Sequence, residues 1–146
     1  MPKRVVFIAA TALVIGGSVG CSSGHPAKPN PGVLPPGTAQ LTIDGKDLPT
    51  TNAVECAPAE QELTTIKTGD DGSGTTVMVS NGKKLTVEFV RIRNLSGFSG
   101  DYDRGLGGTA TVALTENTYH ITGAAFGYGP KSHVPTTEPF TITVSC

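Results

Sequence analysis

Apolar and polar residues alternate in short runs along most of the chain from about residue 39 onward. Leu41 and Ile43 show this alternation early in the sequence, and Phe140, Ile142 and Val144 show it again near the C-terminus. A period of two places successive side chains on opposite faces of a β-strand, so one face of each run can be buried. The pattern therefore predicts strands with one face toward a core.

Turn residues separate these runs. Asp44-Gly45, Asn81-Gly82 and Glu116-Asn117 each stand between two runs. Asn-Gly is the strongest of these turn signals because both of its positions tolerate positive φ. We therefore expect a hairpin at each pair. Around Asn81-Gly82, the alternating residues expected on one face are Val77, Val79, Leu85, Val87, Phe89 and Arg91.

Seven or eight such short strands joined by turns predict an all-β fold, a single antiparallel domain over residues 39–146. It is expected to be either a sandwich or an open barrel. Only the segment from residue 57 to residue 67 has room for one short helix, since Pro58 and Glu60 suit a first helical turn.

The glycine-rich stretch 94–108 has no periodicity and predicts a long loop, which in a compact domain is either functional or disordered. Phe98 and Tyr102 lie in this stretch. Two interpretations remain open for them. They are either exposed anchors that contact a partner or a lipid, or rings that cover one open end of the core.

The N-terminus has the three zones of a secretory signal peptide. Lys3 and Arg4 are followed by the uncharged apolar run 5–19 and then by small residues that end at Cys21. A transmembrane helix is the alternative, but spanning a bilayer needs roughly 20 apolar residues. We therefore assign residues 1–20 to a signal peptide.

The end of this segment resembles a bacterial lipobox, in which the cysteine thiol receives a diacylglyceryl group and becomes the new N-terminus. Val19 and Gly20 fit that pattern, whereas Ser18 departs from it, because leucine is usual there. Two or three acyl chains on Cys21 would anchor the protein stably in a membrane. The prediction is a lipid-anchored protein of the cell membrane, facing the outside of the cytoplasmic membrane or the cell surface.

Residues 22–38 contain five prolines and three glycines and carry no helix or strand pattern. Such a composition favours extended polyproline II and acts as a semi-rigid spacer. With Cys21 it is expected to form a tether between the anchor and the β domain.

Composition excludes one large class of partner. The full chain has 11 basic and 12 acidic residues, and loss of Lys3 and Arg4 with the signal peptide leaves a net charge near −3. The sequence has no run of Lys and Arg long enough to follow a phosphate backbone, so no nucleic-acid partner is predicted.

The other two cysteines, Cys56 and Cys146, are best interpreted as one disulfide, because exported proteins oxidise paired cysteines. Free thiols and a metal pair are the alternatives. Metal sites need more ligands at short spacing, and neither cysteine has a histidine or a second cysteine nearby.

Candidate catalytic groups are scattered. His25, His120 and His133 do not share a metal-ligand spacing. Ser96 and Ser99 stand beside glycines, but the sequence has no G-x-S-x-G motif. No catalytic residue is therefore predicted, and the chain is not expected to be an enzyme.

Two acidic turns also fail as cation sites. Asp101 and Asp103 have the first spacing of a calcium loop, but Gly105 occupies the next ligand position and Arg104 would repel a cation. The turn 69–74 contains ordinary Asp-Gly hairpin chemistry. We predict no metal site and no cofactor.

Several segments together resemble one known family. These are the lipobox cysteine, the tether, "LTIDGKD", "VRIRNLSGFSG", "NTYHITGAAFGYG" and the terminal "FTITVSC". They are similar to the mycobacterial lipoprotein antigens of the LpqH-like family, and the middle segments look closest to its LppE branch. The resemblance implies an envelope lipoprotein of mycobacteria or a relative, acylated at Cys21, with Cys56 and Cys146 at the positions of the family's cysteine pair. It also implies recognition of the acylated N-terminus by host innate receptors, chiefly Toll-like receptor 2, and it brings no catalytic residues.

Three functions follow from these observations. The leading hypothesis is a non-enzymatic, membrane-anchored envelope lipoprotein whose β domain is a binding or antigen module. The second is a lipid or glycolipid carrier, for which an internal apolar cavity could be permitted by the small residues Gly123, Ala124, Ala125 and Gly127. The third is a hydrolase, which would need Ser96 or Ser99 beside His120 or His133.

Overall fold

The computed structural model describes residues 30–146, and this part of the chain is entirely β-structure with no helix. It contains ten strands, more than the seven or eight expected. They are β1 Ala39–Ile43, β2 Lys46–Asp47, β3 Val54–Glu60, β4 Leu63–Gly69, β5 Gly74–Ser80, β6 Thr86–Leu95, β7 Phe98–Asp103, β8 Ala110–Thr115, β9 Thr118–Tyr128 and β10 Pro135–Ser145.

All ten strands belong to one antiparallel sheet. Its main path runs β2-β1-β10-β9-β7-β6-β5-β4-β3, and β8 pairs with β9 beside this path. The sheet curves into an open half-barrel. This confirms the predicted all-β class in its open-barrel form rather than as two packed sheets.

Alternation along the strands decides which side chains fill the concave face. On β1 Leu41 and Ile43 are buried, and on β10 Phe140, Ile142 and Val144 are buried, as the sequence pattern predicted. Because most strands contribute β-branched residues at these positions, the core is dense without any tryptophan. Its other fully buried members include Ile66, Val77, Val79, Val87, Val90, Ile92 and Ile121.

The expected short helix between residues 57 and 67 is not formed. That segment is the end of β3, a tight turn and the start of β4. Gln61 and Glu62 occupy the turn with φ of 49° and 66°. The prediction was wrong because pairing of Leu63 with Ser80 on β5 and of Glu60 with Leu63 outweighs the weak helix-start signal.

The stretch 94–108 is only partly a loop, because it contains the whole of β7. Phe98 is 3% exposed and Tyr102 is 7% exposed, and both belong to the hydrophobic core. The interpretation of these rings as exposed anchors is therefore contradicted, and they contribute to the core instead. The signal was hidden because Gly97 and Gly100 interrupt the apolar alternation around them.

The last part of the predicted tether is folded against the domain. We call residues 30–38 the strap. The Leu34 amide donates to the Thr118 hydroxyl at 3.2 Å, and the strap exchanges backbone hydrogen bonds with Ser145 through Gly37 and Thr38, both at 2.9 Å. Thr118 and Ser145 are consequently buried although they lie on the convex side of the sheet.

A disulfide joins Cys56 on β3 to Cys146, which follows β10 directly, with a Cα–Cα distance of 6.0 Å. β3 is the last strand of the main path, whereas β10 stands third from its other end. The bridge therefore connects two parts of the sheet that no hydrogen-bond ladder joins. A backbone bridge between Ala39 and Thr51 brings the same two regions together.

Candidate functional site

A depression lies on the convex side of the sheet between β7 and β9, and we call it the β7–β9 groove. Its volume of about 550 Å³ falls within the range of small-ligand sites. The lining residues are Asp101, Tyr102, Asp103, Leu106, Gly107, Gly108, Ala124, Phe126 and Thr137.

The groove exists because β9 changes partners along its length. β7 pairs with the end of β9 only as far as the Asp101–Phe126 position, and β8 takes over from the Ala110–Gly123 position. Between these points β7 and β8 diverge, and the connection over residues 104–109 bridges them. The result is a wedge with Ala124 at its floor.

Strand register brings three of the lining side chains into one row. Asp101 on β7 stands opposite Phe126 on β9, and Phe126 stands opposite Thr137 on β10. Directly opposed residues of antiparallel strands have their Cβ atoms about 4.5–5.5 Å apart, so these side chains form a continuous outer surface.

Large apolar side chains form the rim. Leu106 is 85% exposed and Phe126 is 61% exposed, and Tyr128 follows two positions along β9 on the same face. Phe126 and Tyr128 are not among the site residues predicted from the sequence. The alternation of side chains along β9 could have identified them. Ile121 faces the core, so the even-numbered residues of this strand face outward.

One ion pair organises the charge beside the groove. The Arg91 guanidinium donates from Nε to Asp101 Oδ1 at 3.0 Å and from Nη2 to Oδ2 at 3.2 Å. The pKa of Arg91 is raised above its ordinary value, mainly by the hydrogen bond and charge of Asp101 and further by the charge of Asp103. Within residues 30–146, Asp103 has no ion-pair partner of its own, so two carboxylates face one guanidinium.

The candidate hydrolase residues do not converge in the structure. Ser99 Oγ accepts a hydrogen bond from the Asn94 amide at 2.8 Å, and Ser96 is exposed in the turn before β7. His120 lies on β9 and His133 is exposed in the connection before β10. No hydrogen bond joins either serine to either histidine in the described part of the chain.

The small residues of β9 do not surround a void. A Cβ atom placed on Gly123 would lie 2.9 Å from Cζ of Phe140, and one placed on Gly127 would collide with the Ser99 carbonyl. Ala125 is fully buried. Their small size therefore allows Phe140 and the backbone of β7 to approach β9, and the space proposed for a lipid cavity at this position is filled.

An apolar groove is present at one end of the half-barrel. Leu41, Leu48 and Leu95 line it together with the turns before β5 and β7, and its volume is about 270 Å³. That volume is just below the usual range for small-ligand sites. It is open to solvent and lies apart from residues 123–127.

Other predicted sites have different outcomes. Across residues 30–146, no three His, Cys, Asp or Glu side chains are grouped so that they could hold a metal ion. The same residues include no helix long and apolar enough to cross a bilayer. The signal peptide 1–20, Cys21 and His25 lie outside the described residues.

Comparisons with known proteins find relatives over nearly the whole chain. Residues 32–146 match the model of the Mycobacterium 19 kDa lipoprotein antigen. A lipoprotein of Mycobacterium avium subsp. hominissuis is 34% identical over 148 residues, covering 100% of this chain and 97% of the relative. Lipoprotein LppE of Mycobacterium tuberculosis is 29% identical over 147 residues, with 100% of both chains covered. Lipoprotein LpqH of the same species is 29% identical over 153 residues, covering 97% of this chain and 96% of the relative. The chain belongs to the Mycobacterium 19 kDa lipoprotein antigen family and is a lipoprotein of the cell envelope.

Proposed function

We propose that this lipoprotein is a non-enzymatic binding or antigen module, held by acyl chains on Cys21 at the outside of the cytoplasmic membrane or at the cell surface. The observation that carries the proposal is the separation between the strap and the β7–β9 groove. The strap bonds to Thr118 at the start of β9, whereas Phe126 lies eight residues along the same strand. At about 3.4 Å per residue this separates the two by roughly 27 Å.

The strap determines where the chain leaves the domain toward its anchor. The Asn30 side-chain amide donates to the Glu116 carboxylate at 2.8 Å, which places the exit beside the turn between β8 and β9. If residues 22–29 are extended, they span about 25 Å at roughly 3.1 Å per residue. The anchored end would then face the membrane, and the groove would remain open to a partner.

The scattered titratable groups support a non-enzymatic role. Catalytic acids, bases and nucleophiles work within hydrogen-bond reach of one another. Ser99 is instead hydrogen-bonded to the backbone of Asn94, and His120 lies close to Gly32 of the strap. Neither group is positioned for nucleophilic attack on a substrate in the groove.

Metabolic labelling with radioactive palmitate tests the anchor. Wild-type protein should incorporate label and partition with membranes, whereas Cys21→Ser should remain unlabelled and be found in the medium. A Cys56→Ser/Cys146→Ser variant is the matched control, because it removes two thiols but retains Cys21. Equal labelling of the wild type and Cys21→Ser would refute lipidation at this residue.

A host innate receptor is a second proposed partner, contacted through the acyl chains. Receptor-reporter cells should respond to the purified wild-type lipoprotein and lose that response with Cys21→Ser. An undiminished response to Cys21→Ser would show that the receptor contacts the β domain instead.

Because the space around the small residues of β9 is filled, a surface binding or antigen module is favoured over a lipid carrier. The apolar groove near Leu41 and Leu95 could still hold part of an acyl chain. Native mass spectrometry of the Cys21→Ser protein separates the two functions, since its own anchor is absent. A protein mass without added lipid is expected. A stoichiometric co-purified lipid or glycolipid would establish the carrier function.

A further inference from the structure

We propose that the β7–β9 groove binds a basic segment of a partner protein, with a lysine or arginine side chain between Asp103 and Phe126 and apolar neighbours against Leu106. This rests on the proposed function, since it identifies what the displayed domain binds. Charge, exposed apolar surface and the shape of the floor each support it.

Charge is the first step. Asp101 is satisfied by two hydrogen bonds from Arg91, whereas Asp103 lines the groove without an ion-pair partner within residues 30–146. Arg91, Asp101 and Asp103 together leave one net negative charge. The neighbouring Arg104, expected from the sequence to repel a cation, is neutralised by Glu88, to which its Nε donates at 2.6 Å. A cationic side chain entering the groove would compensate it, and an incoming arginine could bind the carboxylate through two N–H donors.

The exposed ring is the second step. Phe126 lines the same groove as Asp103 and is more than half exposed. Cations are attracted to the face of an aromatic ring, and a neighbouring carboxylate strengthens the preference for a cation. The protein already contains this type of contact, since the Arg91 guanidinium lies 5.1 Å from the centre of the Phe89 ring.

Apolar surface and floor shape define the rest of the ligand. Leu106 is almost fully exposed at the rim and offers contact to an aliphatic neighbour. Gly107 and Gly108 have φ of 118° and 76°, a conformation that side chains rarely adopt, and they leave backbone open at the floor. An extended peptide can therefore lie close to the loop with its side chains on Leu106 and Phe126.

This chemistry disfavours two other occupants. A lipid surface would have to desolvate the Asp103 carboxylate, which is costly without a compensating charge. A neutral glycan would leave the net charge uncompensated. Both remain possible outcomes of the experiment below, and either one would overturn the proposal.

The test is an NMR titration of the ¹⁵N-labelled, acylated lipoprotein in detergent micelles. The probes are three peptides, Gly-Leu-Arg-Leu-Gly and its counterparts with glutamine or glutamate in the central position. We expect the arginine peptide to shift the amide signals of Gly107, Gly108 and Phe126. It should leave the signal of Gly32 unshifted, since this strap residue lies beside His120, toward the other end of β9. It should bind at least five-fold more tightly than the glutamine peptide.

Two aspartate variants give the decisive comparison. Asp103→Asn should remove the five-fold preference for arginine over glutamine, whereas Asp44→Asn, which neutralises an exposed aspartate in a turn, should retain it. Phe126→Ser should weaken the arginine peptide more than the glutamine peptide, because only the cation is attracted to the face of the ring. Equal melting temperatures of the variants would show that folding is unchanged.

The proposal is overturned if Asp103→Asn and Asp44→Asn behave alike, or if the glutamate peptide binds as well as the arginine peptide. It is also overturned if mannohexaose or detergent alone shifts the groove signals to the same extent. Failure here is distinct from failure of the anchor, because palmitate labelling of Cys21 does not depend on what the groove binds.

Discussion

Removal of the disulfide between Cys56 and Cys146 should cost the domain a large part of its stability. The bridge closes a loop with a sequence separation of 90 residues. In the chain-entropy model a loop of this length contributes about 4–5 kcal/mol at 25 °C, and the whole stability of a domain is about 5–15 kcal/mol. For a unit of this size, the unfolding entropy converts that loss into a fall of about 15–20 °C in melting temperature.

The structure also indicates where the effect begins. β3 is an edge strand, and its ladder partner is β4 alone. Without the bridge to Cys146, the edge is retained by pairing with β4 and by the short contacts around Thr51. Amide exchange should therefore accelerate first in β3 and β4, before it accelerates in β9 and β10.

Calorimetry of a Cys56→Ala/Cys146→Ala variant measures this effect without leaving a lone thiol. Cys21→Ser is the matched control, since it removes the third cysteine and leaves the bridge intact. Reduction of the wild type should reproduce the loss, and reduction of the double variant should change nothing. A fall of less than about 3 °C in the double variant would refute the loop-closure reasoning.

Three further substitutions test the packing. Gly127→Ala should destabilise the domain by about 1–3 kcal/mol because its Cβ would collide with the backbone of β7, whereas Gly129→Ala meets no atom within 4 Å and should have little effect; equal melting temperatures would contradict this. The Thr75 and Thr68 hydroxyls bond to each other at 2.8 Å in the core, and the Thr68 hydroxyl also accepts from the Thr75 amide at 3.2 Å. Thr75→Val should therefore cost about 1–3 kcal/mol, and Thr68→Val, which removes both hydrogen bonds, should cost more. A smaller shift of the denaturation midpoint for Thr68→Val than for Thr75→Val would argue against this pairing. Thr118→Val removes the acceptor for the Leu34 amide and should make the strap cleavable in limited proteolysis, and unchanged cleavage would show that other contacts hold it.

The sequence predicted strand structure best where alternation and turn chemistry agree. Asp44 and Gly45 adopt φ of 49° and 71°, as the hairpin prediction required. The predicted turn at Glu116-Asn117 likewise joins β8 to β9, and Glu116 has φ of 54°. In these regions a short local signal and the long-range pairing favour the same conformation, so the sequence was sufficient.

Prediction from the sequence failed where a β-bulge shifts which residues of a strand face the core. Val87 pairs with Val79, but Phe89 pairs with Met78, so Glu88 is an extra residue on β6. This bulge turns Phe89 outward and places Val90 in the core. Strict alternation from Val87 predicts the opposite for both, because nothing local marks the bulge. The predicted hairpin at Asn81-Gly82 is formed, since β5 pairs with β6, but its loop extends over the five residues 81–85.

The candidate site was harder to predict than the core, because it depends on where strands exchange partners. Phe126 and Asp103 are far apart in sequence and are brought together only because β7 leaves β9 before β8 reaches it. Exposed side chains leave no burial signal, and glycines surround this pair in the sequence. The register of three strands was therefore needed to recognise the groove.

The strap shows that composition alone does not define a linker. Proline prevents donation from its own nitrogen, but the neighbouring amides of Leu34 and Gly37 still donate to Thr118 and Ser145. Pro31, Pro35 and Pro36 restrict φ in the strap and so lower the entropy lost when it docks. Docking a proline-rich segment therefore costs less conformational entropy than docking a segment of the same length without prolines. Because the strap is immobilised beside Glu116, residue 30 leaves the domain at a fixed point, toward the end of β9 opposite to Phe126.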